Sequence, residues 1–172
     1  MQTAVIAATE LPRRVLDTMV ESGADFLVSV PCNTLGGLLE ELRQDRRVRH
    51  VPVTREEEGV GLCAGAALVG KLPVLLMQNS GLGNCINAVL SLTRLYALPL
   101  VILASYRGGP DEPIVAQRPM GQAMRPLLRA IGVPYREIKD ARQAPEFGEL
   151  VRAAAKGAVV AGIVHPRFWE GG

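Results

Sequence analysis

The sequence predicts an α/β protein built in three layers (α/β/α), with helices on both faces of a mostly parallel central sheet. Two observations support this. The hydrophobic period switches repeatedly between helix and strand along the 172 residues, and the longest apolar runs have the length of strands. Hydrophobic residues make up 48% of the chain and charged residues 21%, which excludes disorder as its main state. Because no repeat or linker interrupts this pattern, we expect one domain over residues 1–172.

Each predicted element has its own local signal. An apolar stripe from Leu11 to Val20, with Pro12 in the first turn, predicts a helix that Gly23 ends. The predicted strands, short segments between turn residues that are mostly apolar, are 25–30, 50–53, 73–77, 98–104, 135–138 and 158–164. The further helices, with apolar residues three to four apart or many small residues, are 35–42, 56–69, 80–96, 120–131 and one that ends at 156. The Gly/Pro-rich stretch 107–119 is too long for a simple connection and is either a mobile cover over a site or an ordinary surface loop.

Composition excludes several classes of function. A net charge of +2 is too small to indicate a nucleic-acid partner, and no apolar run is long enough to span a membrane. Residues 1–9 lack the features of a signal peptide, so we expect a cytoplasmic protein. Three widely spaced cysteines (Cys32, Cys63 and Cys85) suit reduced thiols in that compartment. The two histidines, His50 and His165, have no metal-ligand spacing, so we expect no metal site made by this chain alone.

Polar residues at the strand-to-helix junctions are the candidate site, because ligands of parallel sheets bind beyond the carboxyl ends of the strands. After strand 25–30, Asn33 or Thr34 either caps the next helix or faces a ligand. After strand 73–77 come Gln78, Asn79, Ser80 and a Gly-Leu-Gly turn, and such clustered polar side chains are costly beside a buried strand unless they bind something.

Three consecutive glutamates, Glu56, Glu57 and Glu58, follow the short strand 50–53. Acidic residues suit a helix start through the helix dipole alone, so solvated surface is one interpretation. The other is that Glu56 is held at the strand end, away from water. Its pKa would then be raised, and it could exchange a proton with a ligand nitrogen.

At these junctions the sequence resembles the pyrimidine-binding (Pyr) domain of thiamine-diphosphate-dependent decarboxylases, in particular those that act on sulfopyruvate and phosphonopyruvate. The matching segments are VPCNTLGGLL (30–39), TREEEGVGLCAGAAL (54–68), MQNSGLGNCINAVLSL (77–92) and RGGPDEP (107–113). With their connecting strands they cover nearly the whole chain. The combination of segments is specific, whereas each piece alone is not.

The resemblance implies roles for individual residues. In the family, a glutamate contacts N1′ of the cofactor's aminopyrimidine and promotes loss of the proton from thiazolium C2. The family places this glutamate nine residues before a glycine. Counting back from Gly65 gives Glu56, and Glu57 is the alternative. The cofactor contacts that it implies are Pro31, Glu56, Gly81, Leu82 and Asn84. The substrate contacts that it implies are Asn33, Thr34, Gln78, Asn79, Ser80 and Arg107.

The resemblance also implies a partner, because this chain has no GDG motif with which the family binds Mg²⁺ and the diphosphate. It implies thiamine diphosphate and Mg²⁺, the metal and diphosphate being held by a beta (PP-domain) subunit in a hetero-oligomer. The implied reaction is decarboxylation of a small anionic 2-oxo acid, such as 3-sulfopyruvate to sulfoacetaldehyde and CO₂ on the route to coenzyme M. The alternatives are a phosphonopyruvate decarboxylase subunit, a non-catalytic assembly or regulatory subunit, and a flavodoxin-like nucleotide-binding module.

Overall fold

The computed structural model describes residues 7–171, so most of the N-terminal stretch used to exclude a signal peptide lies outside the described residues. The helices are α1 (Leu11–Glu21), α2 (Gly36–Gln44), α3 (Glu56–Leu68), α4 (Leu82–Ala88), α5 (Arg118–Ala130) and α6 (Pro145–Ala154). The strands are β1 (Phe26–Ser29), β2 (Arg49–Pro52), β3 (Pro73–Gln78), β4 (Leu100–Ser105), β5 (Tyr135–Ile138) and β6 (Val159–Val164). Within 7–171, no helix has the length and apolar character needed to cross a bilayer.

The strands form one sheet in the order β2-β1-β3-β4-β6-β5, and every neighbouring pair is parallel. Helices α1, α2 and α6 cover one face, and α3, α4 and α5 cover the other. The buried strand β3 shows why both faces need cover, because Val74 and Leu76 enter one core while Leu75 and Met77 enter the other. The predicted fold class is confirmed, and the sheet is parallel throughout the described chain.

The strand order reverses between β1 and β3, because the chain goes from β1 outward to β2 and then returns past β1 to form β3. A crevice opens beyond the carboxyl ends of the strands at such a point, and it is the usual ligand position in open parallel sheets. The segments that follow β1, β2, β3 and β4 all leave the sheet at this edge, so the four junctions marked by the sequence share one side of the molecule.

The helix predicted over 80–96 is divided into three conformations. A 3-10 turn (Asn79–Gly81) precedes α4, and a π-helix (Val89–Arg94) follows it. The hydroxyl of buried Thr93 donates to the carbonyl of Val89 at 3.1 Å. Such a bond competes with the backbone donors of an α-helix, which accounts for a widened turn here.

Small residues in α3 serve two different purposes. A side chain at Gly59 would place its Cβ 2.7 Å from a methyl group of Leu75, so glycine lets α3 pack closely on the side chains of the sheet at this position. Gly61 and Gly65 have nothing within 4 Å of an added Cβ, so close packing within the chain does not explain them. Both glycines lie on the outward side of the helix.

All three cysteines are free thiols. Cys63 and Cys85 are buried under α3 and α4, and burial raises the pKa of each thiol to about 12. Cys32 is half-buried after β1, and its sulfur lies 3.0 Å from the hydroxyl oxygen of Ser105 at the end of β4.

Candidate active site

Glu56 is the first residue of α3 and comes after the end of β2 at Pro52. As predicted, it lies at the start of the helix that follows this strand, but in the isolated chain it is half-buried rather than held fully away from water. The helix dipole and free backbone N–H groups favour a negative charge at that place. Any deeper burial of the carboxylate must come from a second molecule.

Glu56 reaches across to α4, where two residues define its position. The side-chain amide of Asn84 donates to Oε2 of Glu56 at 2.9 Å. A Cβ on Gly81 would lie 2.4 Å from Oε1 of Glu56, so the carboxylate occupies the space that the glycine leaves empty. Oε1 accepts no hydrogen bond from residues 7–171, which leaves one oxygen of a held carboxylate available to a ligand.

The other two glutamates turn to their own helix end. Glu57 accepts from Arg55 at 2.7 Å, and the hydrogen bond from its own backbone N–H, with Arg55, holds the pKa of Glu57 below its ordinary value. Glu58 is exposed and accepts from the backbone and hydroxyl of Thr54 at 3.3 and 3.4 Å. Among the three, Glu56 alone accepts a hydrogen bond from another helix, whereas Oε2 of Glu57 is buried with no hydrogen-bond partner among residues 7–171. An open oxygen on a held carboxylate favours Glu56 over Glu57 for contact with a ligand.

The junction after β1 presents polar side chains that make no hydrogen bond to residues 7–171. Pro31 and Asn33 are exposed and Thr34 is half-buried. The alternative in which Asn33 or Thr34 caps the following helix is wrong, because neither side chain makes a capping hydrogen bond. A 3-10 turn that contains both residues leads into α2 instead. The side chains of Asn33 and Thr34 stay available to a ligand at the carboxyl edge.

The junction after β3 contains residues with unlike roles. Gln78 donates to Ser80 at 2.6 Å and to Gln117 at 3.1 Å, and both Gln78 and Ser80 are half-buried. Asn79 is 0% exposed and Leu82 is 0% exposed. The expectation that Asn79 contacts substrate and Leu82 contacts cofactor is corrected by this burial, since both side chains face the interior.

Asn79 instead joins two junctions. Its side-chain amide donates to the carbonyl of Arg107 at 2.8 Å, and its side-chain oxygen accepts from the backbone N–H of Arg107 at 3.1 Å. A buried amide with both ends satisfied is rigid and costly to disturb. These hydrogen bonds therefore connect the turn Asn79–Gly81, which contacts Glu56, to the start of the segment after β4.

The segment after β4 is not the free loop that the sequence allows. Arg107 forms a two-point ion pair with Glu112 at 2.7 and 2.6 Å, and α5 begins at Arg118. Arg107, which is expected to contact an anionic substrate, is therefore already paired with a carboxylate that compensates its charge. Glu112 stands in the loop sequence, but the sequence alone assigns it no role. The signal that could have indicated its pairing with Arg107 is an acidic residue five positions from an arginine in a loop rich in Gly and Pro.

Replacing Asn84 with Ala should lower turnover of the assembled protein about tenfold, since one hydrogen bond to a charged group is worth about 1.5–3 kcal/mol and here orients Glu56. Asn84 is exposed, so the melting temperature should hardly change. The matched control is Gln122→Ala, which removes an exposed amide from α5. Equal turnover in the Asn84 variant and the control would show that this bond does not position Glu56.

The comparisons with known proteins define the class first. The N-terminal TPP binding domain of thiamine pyrophosphate enzymes matches residues 9–125. Among solved structures, a 2-oxoglutarate:ferredoxin oxidoreductase from Magnetococcus marinus superposes with a TM-score of 0.71 over 98% of this chain and 30% of its own, at 11% identity. That likeness supports the fold alone.

Curated relatives narrow the class. The alpha subunit of sulfopyruvate decarboxylase from Methanococcus maripaludis is 43% identical over 91% of this chain and 95% of its own length. A sulfopyruvate decarboxylase from Methanosarcina acetivorans is 35% identical over 91% of this chain but only 40% of its own length. A phosphonopyruvate decarboxylase from Streptomyces hygroscopicus is 38% identical over 52% of this chain and 22% of its own length. The chain belongs to the thiamine pyrophosphate enzymes and, within them, to the family of sulfopyruvate decarboxylase alpha subunits.

The residues present fit one end of thiamine diphosphate. A carboxylate fixed through one oxygen, with the other oxygen open, suits a protonated ring nitrogen. The opposite end of the cofactor has no counterpart, because among residues 7–171 no three His, Cys, Asp or Glu side chains converge to hold a metal ion. Two surface hollows lie elsewhere, one along α1 and one beside the amino ends of β1 and β2. The carboxyl edge thus resembles half of a site.

Proposed function

We propose that this chain supplies Glu56 to N1′ of the aminopyrimidine of thiamine diphosphate at a contact with a separate beta (PP-domain) subunit that holds Mg²⁺ and the diphosphate. The assembled cytoplasmic enzyme decarboxylates 3-sulfopyruvate to sulfoacetaldehyde and CO₂, on the route to coenzyme M. The observation that carries the proposal is the half-buried Glu56 carboxylate, held by Asn84 and Gly81 with one oxygen open. The family membership supplies the reaction class.

The chain's own residues have three tasks in this proposal. When bound, thiamine diphosphate supplies the electron sink that decarboxylation of a 2-oxo acid requires. Glu56 holds a proton at N1′ of the pyrimidine, and Asn84 keeps the carboxylate aimed at that atom. Pro31 and Gly81 border the pyrimidine. The remaining polar groups of the carboxyl edge, which face the anionic substrate, are Asn33, Thr34, Gln78, Ser80 and Arg107.

The partner surface adjoins Glu56. We define the α3–α4 face as the outward residues of α3, α4 and the π-helix: Gly61, Leu62, Gly65, Leu68, Gly83 and Leu90. Leu62 is 38% exposed, Leu68 71% and Leu90 40%, and the three glycines have open space where a side chain would stand. Exposed leucines next to glycines, which have no side chain, form an apolar surface that a second polypeptide can approach closely.

Two further observations favour a beta subunit as the occupant of this face. The Methanosarcina acetivorans relative carries a sequence like this one in less than half of a single long chain, whereas the Methanococcus maripaludis relative is called an alpha subunit and has this chain's length. The missing GDG motif means that the metal and diphosphate ligands must come from elsewhere. A second chain seated on the α3–α4 face would bring them opposite Glu56.

Introducing charge on the α3–α4 face should weaken assembly. Replacing both Leu62 and Leu90 with Asp buries two carboxylates at the contact, so the dissociation constant from the partner should rise at least about a hundredfold. The control is Ala153→Asp, an exposed change on α6 at the opposite face of the sheet. Binding is measured by calorimetry with the co-purified partner, and unchanged affinity of the double variant would exclude this face.

The function is tested by assaying the chain, its partner and the mixture on 3-sulfopyruvate, with and without thiamine diphosphate and Mg²⁺. We expect decarboxylation by the mixture alone, and only with the cofactor. If the partner alone reaches the rate of the mixture, this chain is an assembly or regulatory subunit. Faster turnover of 3-phosphonopyruvate, which the Streptomyces relative makes the second candidate, would reassign the substrate.

A further inference from the structure

Glu112 lies buried in the segment between β4 and α5, and both of its side-chain oxygens are fully used. Oε2 accepts from Nε of Arg107 at 2.7 Å and from the backbone N–H of Gly108 at 3.0 Å. Oε1 accepts from Nη2 of Arg107 at 2.6 Å and from the backbone N–H of Ile114 at 3.1 Å. One carboxylate therefore fixes both the path of the segment and one edge of a guanidinium.

Arg107 keeps its other edge open. Glu112 takes the edge formed by Nε and Nη2, while Nη1 donates to no acceptor among residues 7–171. The side chain of Arg107 is 23% exposed, so the remaining N–H groups can reach a ligand. Asn79 fixes the backbone of the same residue through two hydrogen bonds. The guanidinium is thus anchored at both ends before any ligand arrives.

The anchored guanidinium lies at the edge of the sheet where Glu56 lies. Asn79, which holds its backbone, starts the turn whose Gly81 contacts Glu56. On the other side, Ser105 at the end of β4 contacts Cys32, the residue before Asn33. Arg107 thus follows a strand end that is joined to the junctions after β1 and β3.

Building on the proposed function, we propose that Glu112 is a positioning residue: it holds one edge of Arg107 so that the open edge receives the sulfonate, the second anionic group of the substrate. A tetrahedral anion offers oxygens to two N–H groups of a guanidinium at once. A side chain that is fixed beforehand loses little freedom on binding, and this gain in preorganisation is the contribution of Glu112.

The charge of Glu112 makes this proposal distinguishable from simple electrostatics. The hydrogen bonds from Arg107 and the backbone of Gly108 lower the pKa of Glu112 to about 2. The ion pair with Arg107 is therefore fully present above pH 4.5, and its contribution to stability is lost as the pH falls towards 2. Removing a negative charge near an anion site would, by charge alone, strengthen substrate binding. Loss of positioning would weaken substrate binding, so the direction of the change in KM distinguishes the two effects.

The experiment compares steady-state kinetics of the assembled enzyme and its Glu112→Gln variant on 3-sulfopyruvate. Each carboxylate oxygen accepts from two donors, so the amide nitrogen of Gln must face donors and release Arg107. We expect KM to rise about tenfold or more while kcat changes less than about threefold, because no bond to the sulfonate forms or breaks in the decarboxylation. An unchanged or lower KM overturns the positioning role.

Three more variants complete the test. Arg107→Ala should raise KM similarly, and adding Glu112→Gln to it should cost nothing more, whereas additive effects would show that Glu112 acts apart from Arg107. Arg107→Lys keeps the positive charge and leaves Glu112 in place, but it removes the open edge of the guanidinium. This variant tests the proposal even if the Glu112 variant fails to fold. An unchanged KM for Arg107→Lys overturns the proposal. Asp111→Asn, an exposed change in the same segment, is the control. A wild-type complex inactive on 3-sulfopyruvate would instead refute the proposed function.

Discussion

Glu56→Gln should reduce decarboxylation by the assembled enzyme about a thousandfold, within the range of 10²–10⁴ that a positioned proton donor or acceptor contributes. Gln has the shape of Glu and can still accept from Asn84, but it cannot hold or release a proton at a ring nitrogen. The half-buried side chain has its one hydrogen bond to an exposed residue, so folding and assembly should be nearly unaffected. Turnover, melting temperature and subunit affinity are measured on the same preparations.

The neighbouring glutamates provide the controls for this prediction. Glu58→Gln changes an exposed carboxylate in the same helical turn and should leave turnover within about threefold of wild type. Glu57→Gln tests the alternative register, and because Glu57 turns to Arg55 we expect a small effect as well. A large loss at Glu57 with an active Glu56 variant would move the proton-exchanging role by one residue and contradict our assignment.

Gly81→Ala should lower turnover about a hundredfold, the cost of misplacing a catalytic group by about an ångström. The new Cβ would lie 2.3 to 2.4 Å from the Cγ, Cδ and Oε1 atoms of Glu56, so the carboxylate must leave its position. The backbone is not the cause, because Gly81 has φ −68° and ψ −16°, which alanine adopts freely. A half-buried glutamate can swing towards solvent, so the free energy of unfolding should change little.

The control for Gly81 is Gly36→Ala at the start of α2, where an added Cβ meets nothing within 4 Å. We expect wild-type turnover there. Full activity of Gly81→Ala would show that catalysis does not require the Glu56 carboxylate to lie against Gly81, which would contradict the proposed site. A lower melting temperature in proportion to the lost activity would indicate a packing defect instead, and a structure of the variant separates the two causes.

Sequence patterns predict the elements of this fold well where one period dominates a segment. Strand 135–138 is predicted and found as β5, and the predicted helix 56–69 is found as α3 over Glu56–Leu68. The predicted helix 80–96 fails as one element. The buried Asn79 draws its start into a turn, and a side-chain hydroxyl widens its end. Both causes are side-chain hydrogen bonds, two from Asn79 and one from Thr93, and hydrophobic spacing does not report them.

The sequence predicts which residues lie at the site but not the direction in which each side chain points. The sequence places Glu56, Asn84 and the polar junction residues at one edge of the sheet. It does not tell that Asn79 turns inward to Arg107, because that contact joins residues 28 positions apart. Leu82 points into the core because of the phase of α4, which starts after a turn of unpredicted length. The pairing of Glu112 with Arg107 is not predictable, because loop closure depends on backbone geometry rather than composition.

The central claim is that Glu56 exchanges a proton with the pyrimidine of thiamine diphosphate where two chains meet. The most direct test is the rate at which the thiazolium C2 hydrogen of bound cofactor exchanges with deuterium, measured by NMR in the complex without substrate. We predict that Glu56→Gln slows this exchange at least about a hundredfold while the cofactor stays bound. Exchange at the wild-type rate in that variant would contradict the account, whatever its turnover.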